Sequence, residues 1–264
     1  RDLIHFSGLT MGTTYSIKAI PLEKNMDTQI LIKGIDSILF SLDKQMSTWD
    51  PNSEISQYNL THSTEPYVIS ESFRTVVKAA LDVSEKTDGF FDITVFDLLG
   101  IWGFGPDPNS GIPDQKQIAT VLSYTGHEKI IVTEKSIIKE HPETKLDLNA
   151  IAKGYAVDEV FHFLQSKGFI DLFVEIGGEV KCSGRNQLNK YWSIGIENPS
   201  DGNKSNQIFA GIVYSDGGAI ATSGNYRNFV DVNGKILGHT FNPKTGYPIQ
   251  TNVLSVTVLS NSCM

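Results

Sequence analysis

LDLNAIAKGYAVDEV, residues 146–160, opens with the look of a buried strand, turns on Asp147 and Asn149, and becomes a helix bearing Ala150, Ala152, Gly154 and Ala156. Glycine in a helix interior costs about 1 kcal/mol against alanine, so Gly154 implies that something approaches this helix closely. The helix is expected to run from a cap at Asn149 to a stop at Gly168. The chain reads differently on its two sides.

Upstream, MGTTYSIKAI (residues 11–20) alternates as a strand does. Residues 27–46 then place Ile30, Ile35, Ile38, Leu39, Leu42 and Met46 on one helical face behind Asp27. STWDPNSEISQYN (47–59) reads as a polar loop. A second helix starts behind Ser70, turns Phe73, Val76, Val77, Ala80 and Leu81 inward and stops near Gly89. PDQKQIATVLSYTG (113–126) reads as a third, with proline in its first turn. Downstream of residue 170, DLFVEI, EVKCSG, YWSIGIE, IFAGIVYS, AIATSG, RNFVDV, GHTF and VLSVTVLS are short runs parted by Gly, Asn, Asp and Pro, the pattern of antiparallel hairpins. Helices early and strands late predict an α+β fold, antiparallel sheets flanked by helices, rather than a doubly wound parallel sheet.

Composition narrows the function. With 40% apolar and 20% charged residues, 264 residues form an ordinary globular chain. A net charge of -8, with the 22 basic residues scattered, argues against nucleic acid. No run approaches the ~20 apolar residues of a membrane span, and the first residues lack a signal peptide's pattern. The expectation is a cytosolic chain or a mature form whose export signal has been removed. Cys182 and Cys263 have no metal-ligand spacing.

The candidate chemistry is weak motif by motif. GIWGFGPDPNSG, EIGGEV and SDGGAIATSG match neither the dinucleotide nor the phosphate-loop glycine pattern, and read as turns. The helix start at 149–152 offers free N–H groups to a pyrophosphate, with Lys153 adding charge; alternatively, Asn149 only caps and the small residues only pack. Asp92, Asp97, Asp147, Glu175 and Glu179 carry oxygens of the kind a hard cation takes, but an isolated acid is more often a cap or a solvated charge. His239, between short strands, is the histidine nearest turn chemistry. There is no G-x-S-x-G and no Cys/His pairing for acyl transfer.

In order, MGTTYSI, MSTWDPNSEISQYN, KTDGFFDITV, IWGFG, LDLNAIAKGYAVD, EIGGEV, ATSGNYRNF, HTFNPKTGYPI and SVTVLS resemble the ApbE family of FAD:protein FMN transferases, from about residue 8 to 260. The resemblance implies a single ApbE-like α+β domain over 1–264. It implies a magnesium-dependent transferase that splits FAD, attaches FMN to a Thr or Ser hydroxyl of a target protein and releases AMP. By residue-wise match, FAD contacts would fall on Met11, Trp49, Phe90, Phe91, Asp92, Asp147, Lys153 and Phe241. Ala150 would offer its backbone oxygen to the metal, and His239 would help deprotonate the accepting hydroxyl. The family continues past SVTVLS into an A-D-A-x-x-T motif with two further metal ligands and a closing helix, whereas this sequence stops at SNSCM. Two other outcomes are therefore carried: an FAD-binding protein without catalysis, and an FAD pyrophosphatase yielding FMN and AMP. The resemblance further implies a lipid-anchored protein at the periplasmic face of the bacterial inner membrane, with flavin-carrying subunits of membrane electron-transfer complexes as partners.

Overall fold

The helix expected from Asn149 begins at Ala152 and ends at Ser166, with Gly168 closing it at φ +90°. Asn149 does not cap it, because its side-chain amide is drawn to Asp147 Oδ2 (2.9 Å) and Thr48 Oγ1 (3.4 Å). Residues 146–148 join no sheet. Their backbone bonds go elsewhere: Leu146 N donates to Asn59 Oδ1 (2.8 Å) and Asp147 N to the Ile93 carbonyl (2.7 Å).

The computed structural model describes the chain apart from residues 23–26, 109–110, 200–208, 225–228 and 233–234. In chain order come β1 (Ile4–Thr10), β2 (Thr13–Ala19), α1 (Thr28–Met46), α2 (Glu54–Leu60), β3 (Tyr67–Val68), α3 (Glu71–Lys86), α4 (Phe96–Ile101) and α5 (Gln115–Tyr124). Next are β4 (Ile130–Val132), β5 (Ser136–Lys139), α6 (Ala152–Ser166), β6 (Leu172–Ile176), β7 (Glu179–Ser183), β8 (Trp192–Glu197) and β9 (Phe209–Ser215). β10 (Gly217–Gly224), β11 (Phe229–Val232), β12 (Lys235–Gly238), β13 (Phe241–Asn242), β14 (Tyr247–Pro248) and β15 (Ser255–Ser260) complete the set. Within the resembling motifs, residues 225–228 of ATSGNYRNF lie outside the described residues.

Two compact units share these elements. The first comprises Arg1–Ser41, Ala152–Gly224 and Val253–Met264. Its six-stranded sheet runs β1-β2-β6-β7-β10-β15, antiparallel throughout. Ile17, Ala19, Leu172, Val174 and Ile176 alternate inward, as period-2 strands dictate, and α6 covers β6 and β7 with Val157, Val160, Phe161 and Leu164. Each fully buried aliphatic side chain contributes about 1.5–3 kcal/mol. Hairpin β8–β9 closes a second cluster in which Trp192 and Ile194 meet Val180, Cys182 and Ile220.

The second unit comprises Leu42–Ile151 and Asn225–Asn252. It holds the sheet β3-β5-β4 and the two-stranded pairs β11–β12 and β13–β14. Leu98, Trp102, Ile118, Val121 and Phe241 form one of its cores. α2 and α4 lie where no helix was expected. α2 forms because Ser53 caps it, accepting from Ser56 N (3.1 Å), while Ile55, Tyr58 and Asn59 supply a buried i, i+3, i+4 face. Glu54 in its first turn accepts from the amide and hydroxyl of Ser70 (2.6 Å each), tying α2 to the start of α3. α5 begins after its proline rather than with it, capped at Asp114 by a reciprocal Asp114–Gln117 box.

Candidate functional site

On the first unit, two hairpin tips lie side by side. Met11 (φ +48°) and Gly12 (φ +70°) make the two-residue turn between β1 and β2, the primed geometry that right-twisted strands require. Met11 is one of three non-glycine residues at positive φ among the described residues, a conformation whose cost is often carried where a function needs it. Gly177 (φ +60°) and Gly178 (φ +98°) make the same kind of turn between β6 and β7, and Gly177 N donates to the Thr14 carbonyl (3.0 Å).

Lys153, in the first turn of α6, lays its stem over this second tip. A Cβ on Gly177 would lie 3.2 Å from Lys153 Cδ and 2.9 Å from a Thr13 methyl. Lys153 Nζ stands 3.4 Å from Glu179 Oε1, while Glu179 Oε2 is buried without a hydrogen-bond partner among the described residues. Burial pushes the Glu179 carboxyl above its ordinary range, against the pull of Lys153.

Gly154 answers the question raised by its helix. An added Cβ would lie 2.3 Å from the Cys263 carbonyl oxygen and 2.7 Å from its carbon, so the neighbour that demands glycine is the backbone of residues 263–264. No nucleotide is needed to explain it. One turn further on, the buried Asp158 carboxylate accepts from Lys181 Nζ (2.7 Å), Ser262 Oγ (2.7 Å), Cys263 N (3.0 Å) and Met264 N (3.0 Å). These donors hold its pKa below the usual carboxylate value despite burial.

On the second unit, three loops are linked by hydrogen bonds. Asp147 accepts from the backbone and side chain of Asn149, folding 147–151 into the turn that carries the exposed Ala150. Asn149 reaches Thr48, beside the exposed Trp49. The Asp147 amide bonds to Ile93, next to Asp92. Asp92 is buried with both oxygens engaged: Oδ1 accepts from Thr94 N (2.7 Å) and Oγ1 (2.6 Å), and Oδ2 from His127 N (2.8 Å). These bonds tie residues 92–94, which begin two residues after Phe90, to His127.

Phe90 is 59% exposed, and Lys244 Nζ sits 4.6 Å from its ring centroid while pairing with Asp88 Oδ2 at 2.6 Å. Phe91 is half-buried. Phe241 is 8% exposed and packs edge-on to Phe104 (5.7 Å) and against Trp102 (6.2 Å), so it belongs first to the core. His239, half-buried, precedes it by two residues in the turn between β12 and β13.

Of the sequence-predicted residues, Met11 and Lys153 therefore fall on the first unit. Trp49, Phe90, Phe91, Asp92, Asp147, Ala150, His239 and Phe241 fall on the second. Trp49, Asp92, Asp147 and Ala150 share linked loops. Sequence reading passed over Lys244, although it sits inside HTFNPKTGYPI beside turn residues.

The acidic residues do not converge: among the described residues no three His, Cys, Asp or Glu side chains group as a metal site. Asp97, for one, is taken up by Lys145 (3.0 Å) and Tyr124 (3.2 Å). Both cysteines are buried and free, the Cys263 thiol pushed up to about 12 chiefly by burial. No described helix is long and apolar enough to cross a membrane.

This α+β architecture is that of the flavin transferases: the chain belongs to the ApbE family, whose model matches residues 11–264. It is 41% identical over 264 residues to a Vibrio cholerae protein named FAD:protein FMN transferase, covering all of this chain and 78% of that one. It is likewise similar to the solved flavin transferase ApbE from Vibrio cholerae, at a TM-score of 0.88 and 40% identity over 99% of this chain and 83% of the other. The apo flavinyl transferase ApbE of Pseudomonas stutzeri matches at a TM-score of 0.88 and 33% identity, over 99% of this chain and 81% of that one.

Proposed function

We propose that this chain is an FAD:protein FMN transferase that moves FMN from FAD to a Thr or Ser hydroxyl of a target protein, releases AMP and works with magnesium. The observation that carries the reading is the whole-length similarity to a relative of that name. In the proposed reaction the acceptor oxygen attacks the FMN phosphorus, the bond from that phosphorus to the AMP oxygen breaks, and His239 takes the acceptor's proton. Lys153 faces the negative charge that grows on the departing AMP, an electrostatic contribution on the order of 2–4 kcal/mol for one well-placed donor. The exposed ring of Phe90 offers its face to a flat ring system.

The fit to magnesium is partial but chemically apt. Ala150 lies in an exposed turn, where its backbone carbonyl, the hard oxygen donor this ion prefers, would hold it. When bound, the ion would supply charge neutralisation for the pyrophosphate. As part of the same reading, the protein is exported and lipid-anchored at the periplasmic face of the bacterial inner membrane. Its acceptors there are flavoprotein subunits of membrane electron-transfer complexes.

The test mixes the chain with FAD, magnesium and a Thr-bearing acceptor, then weighs the acceptor and separates the nucleotides. FMN added to the acceptor with AMP in solution is the expected result. FMN and AMP with an unlabelled acceptor would replace transfer by hydrolysis. Bound but unchanged FAD would reduce the chain to a flavin-binding protein.

A further inference from the structure

Glu179 has a setting that transfer alone does not explain. Its side chain is 18% exposed, it sits at the first position after the Gly177–Gly178 turn, and its Oε2 is shut off with no hydrogen-bond donor among the described residues. A carboxylate so placed stays ionised only while a cation compensates it. The charged and titratable groups facing it are Lys153 from α6, 3.4 Å away, Glu175 from β6 and the Cys263 thiol beyond β15. Glu175 carries the same sign, and its own Oε1 accepts from Gly178 N (2.7 Å). Cys263 is neutral at ordinary pH, since burial pushes its thiol up to about 12. Lys153 is thus the compensating cation, and it is also the residue that the proposed function turns toward the FAD pyrophosphate.

We propose that Glu179 balances the charge of this site: when a pyrophosphate anion engages Lys153, the Glu179 carboxylate takes one proton from solvent and becomes a neutral acid. The inference rests on the proposed function only in taking Lys153 as the pyrophosphate contact. Two anions then compete for one ammonium, and the buried one with an unsatisfied oxygen is the one that gives up its charge. The neutral carboxyl keeps an oxygen for Lys153 and no longer repels the substrate. FAD binding therefore weakens as pH rises, because proton uptake becomes harder.

FAD is a suitable probe because its pyrophosphate diester does not itself titrate near neutrality. Calorimetric titration at pH 7.5 in two buffers of different ionisation heat is expected to give uptake approaching about one proton per FAD bound by the wild type. Glu179→Gln, a fixed neutral mimic, is expected to bind FAD at least as tightly with no uptake and no weakening as pH rises. Lys153→Met is expected to lose the uptake as well, which tests the same coupling should Glu179→Gln fail to fold. Binding by the wild type without uptake, or unchanged uptake in Glu179→Gln, overturns the proposal and leaves the transferase reading standing. Failure of the wild type to bind FAD overturns both.

Discussion

Replacing Gly154 with alanine sets two effects of opposite sign against each other. In an open helix the change stabilises by about 1 kcal/mol. Here the new methyl would lie 2.3 Å from the Cys263 carbonyl oxygen, and the obstacle is backbone rather than a side chain that can swing away. Relief requires residues 262–264 to leave α6, which costs Asp158 its bonds from Ser262 Oγ, Cys263 N and Met264 N. Hydrogen bonds to a charged group are worth about 1.5–3 kcal/mol each, but three on one carboxylate are not additive, and Lys181 remains as a partner. Subtracting the helix gain leaves a net loss of about 2–4 kcal/mol, or roughly 4–8 °C in melting temperature for a chain of this size. Urea unfolding followed by circular dichroism, with midpoint and slope both recorded, measures it. A variant more stable than the wild type would mean that residues 262–264 do not rest on this helix, and the reasoning would fail.

Asp158→Asn removes the charge behind the same contacts. Because the folded carboxyl titrates below its ordinary 3.8, its stabilisation is complete above that value and disappears as pH falls through the folded one; the wild-type urea midpoint should drop there by more than the variant's, whose remaining acid sensitivity comes from other carboxylates with lowered values such as Asp50, Asp88, Glu128 and Glu143. Phe90→Ala and Phe241→Ala should separate site from core: the first weakens FAD binding, read by flavin fluorescence, with little change in melting. The second costs about 3–5 kcal/mol of stability, since Phe241 fills the cluster with Trp102 and Leu98. His239→Asn should lower the rate of FMN transfer by about 10²–10⁴-fold while FAD affinity stays within a few-fold, and equal loss of both would remove His239 from proton transfer.

Much of the architecture was legible because it follows periodicity. α1 and α3 appear where the apolar spacing put them, with Asp27 accepting from Gln29 N and Ser70 from Phe73 N, although at the start of α1 it is Leu31 that is buried and Ile30, expected inward, that is exposed. The α+β class, with antiparallel hairpins after residue 170, is what the structure has. What escaped was set by contacts distant in sequence. α2 owes its place to Glu54 meeting Ser70, and the start of 146–148 stays out of any sheet because Asn59, 87 residues before Leu146, takes the backbone bonds of Leu146 while Ile93 accepts from Asp147. The reason for Gly154 could not be read locally either, since its neighbour lies more than a hundred residues later. At the site, the resemblance supplied the residues and the spacing did not. Only the structure separates an exposed Phe90 from a packed Phe241, and only it sets Glu179 beside Lys153 with an unsatisfied oxygen.

The order of strands in the six-stranded sheet has a consequence for how the chain is made. β10 waits for β15, pairing Ala219 with Ser260, and the chain between them belongs to the other unit. During synthesis the hairpins β1–β2 and β6–β7 can close as soon as they emerge, whereas the sheet's last rung must wait until residue 260 has left the ribosome. Until then β10 offers a bare edge, the kind of surface on which nascent chains associate wrongly. Folding of this unit should therefore be limited by a late, long-range step, slow for its size and sensitive to anything that delays translation of the final strand.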